Sequence, residues 1–89
     1  MNQKILVESL AMDLKRAALG FYRGSIKMAN RFRLEALKRG EELESQKTDS
    51  YLKNLIRKTE TTLRSRNNKI AEDALMYSTL FQNFALKKM

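Results

Sequence analysis

Residues 5–32 read ILVESLAMDLKRAALGFYRGSIKMANRF, and this stretch carries two apolar stripes at helical spacing. At roughly 100° per residue, the main stripe falls along one helix face and consists of Val7, Leu10, Leu14, Ala17, Phe21, Ser25, Met28 and Phe32. The second stripe recurs every seven residues along another face and consists of Ile5, Met12, Leu19 and Ile26. An amphipathic helix that packs on one core needs a single stripe. Because this helix has two, we expect it to be covered from two sides, one of them by a partner.

The apolar pattern predicts two long helices joined by one loop. The main stripe and the residues after it predict a first helix from about residue 3 to about residue 44. The segment 45–49 is the most convincing loop, since Thr48, Asp49 and Ser50 can each cap the start of the next helix. Apolar positions then continue, which predicts a second helix from about residue 50 to about residue 86.

Two places weaken these helices. Asn67 and Asn68 have modest helix propensity and tolerate turn conformations, so a break near 66–68 would give three helices instead of two. Gly20 and Gly24 lie four residues apart in the first helix. The neighbouring residues Ala17 and Ala18 are also small, which favours close approach of another backbone over a gentle bend at the glycines.

The fold class expected from these features is all-α, an antiparallel helical hairpin of two or three helices. The 89 residues allow one small helical domain, residues 1–89. A domain of this size with neither disulfide nor metal rarely stabilises itself by burying one stripe per helix. Pairing two hairpins into a four-helix bundle would cover the second stripe, although a different protein partner satisfies the same physics. The expected homodimer interface consists of Ile5, Met12, Leu19, Ile26, Leu75, Met76 and Leu80.

Composition excludes most catalytic chemistry. The chain has no histidine and no cysteine, so imidazole bases, thiol nucleophiles and the usual zinc ligands are absent. Glu41, Glu42 and Glu44 cluster beside the loop, where a solvated acidic rim is the simplest interpretation. We therefore predict a protein that is not an enzyme, with no catalytic residue, no cofactor and no metal site. The lack of cysteine, and of any uncharged apolar run of about 18 residues, predicts a cytoplasmic protein with no transmembrane segment.

Positive charge is the strongest indication of function. Eighteen Lys and Arg against ten Asp and Glu give a net charge of +8, which favours a polyanionic partner such as nucleic acid, an acidic protein surface or, less favoured, an anionic membrane. The cations expected to form a continuous basic belt are Arg16, Arg23, Lys27, Arg31, Arg33, Lys38, Arg39, Arg57, Lys58 and Arg64. The primary hypothesis is a binding protein that contacts nucleic acid through this belt. The alternative is an adaptor, chaperone or inhibitor that docks a partner protein on the second apolar stripe.

Overall fold

The computed structural model describes residues 2–65 and 67–89, and within them the chain forms four α-helices and no strand. The helices are α1 (Gln3–Tyr22), α2 (Ile26–Glu44), α3 (Ser50–Ser65) and α4 (Ile70–Lys88). Each helix packs against the next along the chain, and α4 packs against α1, so α1 lies diagonally opposite α3. The connections are short, which makes neighbouring helices antiparallel. The result is a bundle of 35 × 21 × 21 Å, and the predicted all-α class is confirmed.

The expected first helix, about residues 3–44, is interrupted after Tyr22 by a glycine turn. Gly24 adopts a left-handed conformation with φ of +73°, which costs a residue with a Cβ atom far more than it costs glycine. The N–H of Gly24 donates to the carbonyl of Phe21, and the N–H of Ser25 donates to that of Gly20. This pair of bonds is a Schellman motif, which satisfies the last carbonyls of a helix and ends it. The prediction of one continuous helix was wrong because Gly24 acts as a helix stop.

The expected second helix, about residues 50–86, is also divided. It begins as predicted at the 45–49 loop, where Asp49 Oδ1 accepts a bond from the N–H of Leu52 at 2.9 Å and caps α3. After α3 ends at Ser65, Asn67 Oδ1 accepts a bond from the N–H of Lys69, and the Asn67 carbonyl accepts one from Ile70. Asparagine favours such local turns over a continuing helix. The break expected near 66–68 is present, with Arg66 itself outside the described residues.

Four helices in one chain replace the expected hairpin of two or three. The α1 part of the main stripe is buried as predicted, with Val7, Leu10 and Leu14 at most 1% exposed. Beyond the Gly24 turn the helix resumes with a different rotation, so Met28 and Phe32 are only half-buried. The core positions of α2 are instead Ala29, Ala36, Leu37, Gly40 and Leu43. A single chain thereby covers one stripe on each of four helices, and the core does not require a second hairpin.

The second stripe is exposed in this bundle. Ile5, Met12 and Leu19 retain 45%, 44% and 36% of their accessible surface, and Ile26 retains 58%. Beside them, α1 packs closely on α4, where the buried Ser78 hydroxyl donates to the Ala11 carbonyl at 2.7 Å. Among residues 2–65 and 67–89, no helix combines the length and apolar character that a membrane crossing requires. The stripe is therefore an exposed apolar face on a bundle whose core is already filled.

The closest backbone approach predicted from the glycines occurs at Gly20 and not at Gly24. A Cβ atom at Gly20 would lie 2.6 Å from the Ala29 nitrogen and 2.8 Å from its Cα, whereas one at Gly24 would meet nothing within 4 Å. Both atoms at Ala29 are backbone, so neither can rotate away. Gly20 thus sets how closely α1 and α2 pack beside their turn, and Gly24 sets the turn itself.

We expect Gly20→Ala to lower the free energy of unfolding by about 1–3 kcal/mol, because the added methyl group must push two helix backbones apart. Urea unfolding monitored by circular dichroism measures this change. Thr79→Ala, at an exposed helix position on α4, is the control and should change stability by no more than about 0.5 kcal/mol. Equal effects of the two substitutions would contradict the close packing of α1 on α2.

Candidate functional site

Arg16 of α1 and Arg31 of α2 converge on one aromatic ring. The guanidinium carbon of Arg16 lies 5.5 Å from the centroid of Phe32, and that of Arg31 lies 5.4 Å from it. Both distances are within the range of about 6 Å at which a cation is attracted to a ring face. Phe32 reaches this position because the Gly24 turn rotates α2 and moves the ring from the predicted main stripe to the α1–α2 boundary. The ring therefore attracts one cation from each of two helices.

Two further cations extend this surface. Lys27 lies one turn before Arg31 on α2, about 6 Å away along the helix axis, and both line a surface depression with Phe32. Arg23 lies at the end of α1, two turns beyond Arg16, and is exposed. We call these four residues, Arg16, Arg23, Lys27 and Arg31, the basic edge. Within the described part of the chain, Arg16 is the member of the basic edge that lies within 4 Å of a carboxylate.

That carboxylate belongs to Asp13, whose negative charge is already neutralised by Arg39 of α2. It is buried in α1, and its Oδ2 accepts a bond of 2.7 Å from Arg39 Nε of α2. Its other oxygen lies 3.7 Å from Arg16 Nη1, beyond hydrogen-bond distance. The Arg39 pair therefore ties α1 to α2, while the Arg16 charge is only weakly compensated. A buried Asp at this position was not recognised from the sequence, although it interrupts an apolar stretch.

The other predicted belt residues do not all join the basic edge. Arg33 donates to the Leu63 carbonyl at 3.3 Å and links α2 to α3. Arg57 lies 3.8 Å from Glu44, and Arg64 lies 3.4 Å from Glu41, so acidic residues of α2 offset both arginines. Lys38 and Lys58 are exposed on the outer faces of α2 and α3. The predicted continuous belt is thus divided into a weakly compensated α1–α2 edge and an α2–α3 face on which acidic residues offset Arg57 and Arg64.

The predicted interface residues also separate into groups. Ile5, Met12 and Leu19 form one exposed row on α1, which we call the outer stripe. Ile26 begins α2 beyond the glycine turn, and Leu75 is exposed on α4. Leu80 lines a cleft with Tyr51 on the α3 side of α4, and Met76 lies one turn before it. The seven residues are therefore distributed over α1, α2 and α4, and the outer stripe is the longest row among them.

Glu60 is a second buried acidic residue that sequence reasoning missed. It is buried between α3 and α2, where a Cβ atom at Gly40 would lie 3.1 Å from Glu60 Oε2. Burial, followed by a hydrogen bond with Glu44 and the negative charge of Glu44, raises the pKa of Glu60 from its ordinary value of 4.5 to about 7, although the nearby Arg64 lowers it. Its Oε2 has no hydrogen-bond partner within the described residues. The sequence feature that relates to this burial is Gly40, whose missing side chain leaves room for the Glu60 carboxyl group.

We expect Arg39→Ala to lower the free energy of unfolding by about 2–3 kcal/mol, because it leaves Asp13 buried without its hydrogen-bonded partner. Denaturant unfolding measures the loss. Arg57→Ala is the matched control, since it removes the same side chain from an exposed and longer ion pair and should cost less than about 1 kcal/mol. The reverse order of the two losses would contradict the tie between Asp13 and Arg39.

Stability should fall as the pH rises through the range in which Glu60 ionises. The folded-state pKa of about 7 lies above the ordinary 4.5, so the folded protein binds the proton more tightly than the unfolded chain does. The free energy of unfolding should therefore decline between about pH 5 and about pH 8. Glu60→Gln should flatten this decline and exceed the parent in stability at the alkaline end. Urea titrations across this pH range test both statements, and a parallel decline in the variant would contradict them.

The basic edge can bind oxyanions, because guanidinium groups donate paired hydrogen bonds to phosphate or carboxylate oxygens. Its cations come from two helices whose spacing is fixed by the Gly20 contact and by the Asp13–Arg39 pair. Two guanidiniums already lie against Phe32, so the edge offers charge more than a free ring for stacking. The chain matches no protein-family model, and it has no significant match among curated proteins or among solved structures.

Proposed function

We propose that this is a non-enzymatic protein that binds the phosphate backbone of nucleic acid through the basic edge. The observation that carries the proposal is the pair formed by Arg16 and Arg31, both held within 5.5 Å of the Phe32 centroid. Both guanidiniums are exposed beside the ring, so each can donate hydrogen bonds to a phosphate oxygen. A ring that attracts both charges supports such a pair without neutralising it.

The arrangement favours contacts to backbone phosphates over contacts to bases. Arg23 ends α1, Lys27 and Arg31 lie one turn apart on α2, and each of these exposed cations can neutralise a phosphate and release its counterions. Such contacts position a protein on a duplex or a strand but carry no sequence information. The proposed binding is therefore strong at low salt and indifferent to sequence.

The alternative function is an adaptor, chaperone or inhibitor that docks another protein. The exposure of Ile5, Met12 and Leu19 on α1 favours it, because contiguous apolar surface on a folded domain commonly marks a protein interaction site. This alternative expects no useful affinity for nucleic acid near physiological salt. The homodimer predicted from the sequence stays a prediction.

We expect the double substitution Lys27→Gln with Arg31→Gln to weaken binding to DNA and RNA of any sequence. Each phosphate contact contributes about 0.9 to the slope of log affinity against log salt on duplex DNA, so the slope should flatten by about two. Fluorescence anisotropy across a salt series measures the affinity and the slope. Circular dichroism should barely change, because both side chains are exposed and glutamine is an adequate helix former.

The matched control is Lys87→Gln with Lys88→Gln, which removes two exposed charges at the end of α4. It lowers the net charge by the same amount but leaves the basic edge intact. We expect this variant to keep most of the salt slope. Equal losses of affinity and of salt slope for the two double substitutions would indicate that the nucleic acid is attracted by net charge alone. A folded parent protein that does not bind nucleic acid would favour the adaptor alternative.

A further inference from the structure

We propose that the outer stripe of α1 is the docking surface for a second copy of this chain, with the two α1 helices packed antiparallel about a two-fold axis at Met12. The outer stripe faces away from the core, and its three residues are between 36% and 45% exposed. It extends over fifteen residues from Ile5 to Leu19, and the two ends are about 21 Å apart along the helix. A row of this length suits packing against another helix.

The spacing of the outer stripe fits a two-fold axis. Ile5 and Leu19 each lie seven residues from Met12, in opposite directions along α1. An axis through Met12 therefore places Ile5 against Leu19 of the second copy, and Met12 against Met12 of the second copy. Isologous interfaces require such self-complementarity, since the same patch serves both partners. Seven-residue spacing is also the repeat that keeps apolar side chains at the contact between two helices.

Charge complementarity selects this occupant. Glu8 and Lys15 lie on the α4 side of the outer stripe, where both line a cleft with Ser78 and Gln82. Neither forms an ion pair within residues 2–65 and 67–89. Their midpoint along α1 is close to Met12, so the two-fold axis brings Glu8 beside Lys15 of the second copy. The symmetry repeats the contact, which gives two pairs of opposite charge on one flank.

The charges on the α2 flank of the outer stripe, and those that a parallel packing of the two α1 helices would bring together, also favour the antiparallel dimer. Arg16 lies on the α2 side of the outer stripe, and the axis places it beside Ser9 of the second copy, where no like charge opposes it. Parallel α1 helices would instead bring Lys15 of one copy beside Arg16 of the other. Like charges at this distance repel. The charges on both flanks therefore favour the antiparallel dimer.

This dimer would also join the two basic edges, a consequence that rests on the proposed function. A two-fold axis perpendicular to the paired α1 helices leaves both α2 helices on the same side of the pair. Arg16 of each copy lies four residues from the axis, so the two guanidiniums would be separated by about 12 Å along the helices. Both basic edges would then face one nucleic acid, which increases the number of phosphates in contact.

Sedimentation equilibrium without nucleic acid tests the dimer independently of the proposed function. We expect the parent protein to form dimers in a concentration-dependent manner. Met12→Glu should weaken association by about 100-fold or more, because it places two carboxylates against each other at the axis. Leu34→Glu is the matched control, since it adds the same charge at an exposed leucine on the outer face of α2 and should leave association unchanged.

A charge exchange tests the antiparallel register. Glu8→Lys alone and Lys15→Glu alone should each weaken association by about tenfold, because each turns two attractive pairs into repulsive ones. The double substitution should restore the parent association. A parent that sediments as a monomer at every concentration, or a Met12→Glu variant that associates normally, would overturn the proposed dimer. Failure of the double substitution to restore association would overturn the register. Normal dimers without nucleic-acid binding would overturn only the proposed function.

Discussion

The reversal of the chain at Gly24 is the constraint on which the rest of the structure depends. Its left-handed backbone ends α1, and the missing side chain at Gly20 lets α2 return within direct contact of the α1 backbone. These two glycines convert one long amphipathic helix into an antiparallel pair. The turn after α3 does the same for the second half of the chain, and four helices then enclose one core.

The same reversal determines how charge is distributed. Once α2 lies beside α1, Arg39 reaches the buried Asp13, and acidic residues of α2 face Arg57 and Arg64 of α3. These contacts neutralise much of the positive charge on two sides of α2. Arg16, Arg23, Lys27 and Arg31 remain weakly compensated where α1 meets α2. Local imbalance of this kind, and not the net charge of +8 alone, makes the basic edge a candidate anion-binding surface.

The outer stripe is not explained by the stability of the bundle. Core positions of α1 such as Leu10 and Leu14 are almost fully buried, whereas the outer stripe retains more than a third of its surface on the opposite face. Exposed leucine, isoleucine and methionine do little to stabilise an isolated domain, since their apolar area stays in water. A second copy that covers this row would remove that area from water. It would also leave Arg23, Lys27 and Arg31 of the basic edge open, while Arg16 would lie at the margin of the contact.

The sequence by itself determined the all-α class, the loop at 45–49, the buried face of α1 and the existence of a second apolar row, because each follows from local periodicity and capping. It also carried the signals for both breaks, in Gly24 and in the asparagine pair. Only the tertiary structure decided that both breaks occur together. Ending a helix loses backbone hydrogen bonds, and this free-energy cost is offset by contacts between helices that lie far apart in the sequence. The pairing of Arg39 with Asp13, the position of Phe32 and the burial of Glu60 depend on the rotation of α2 after the turn. That rotation is set by contacts between helices, which no local pattern specifies.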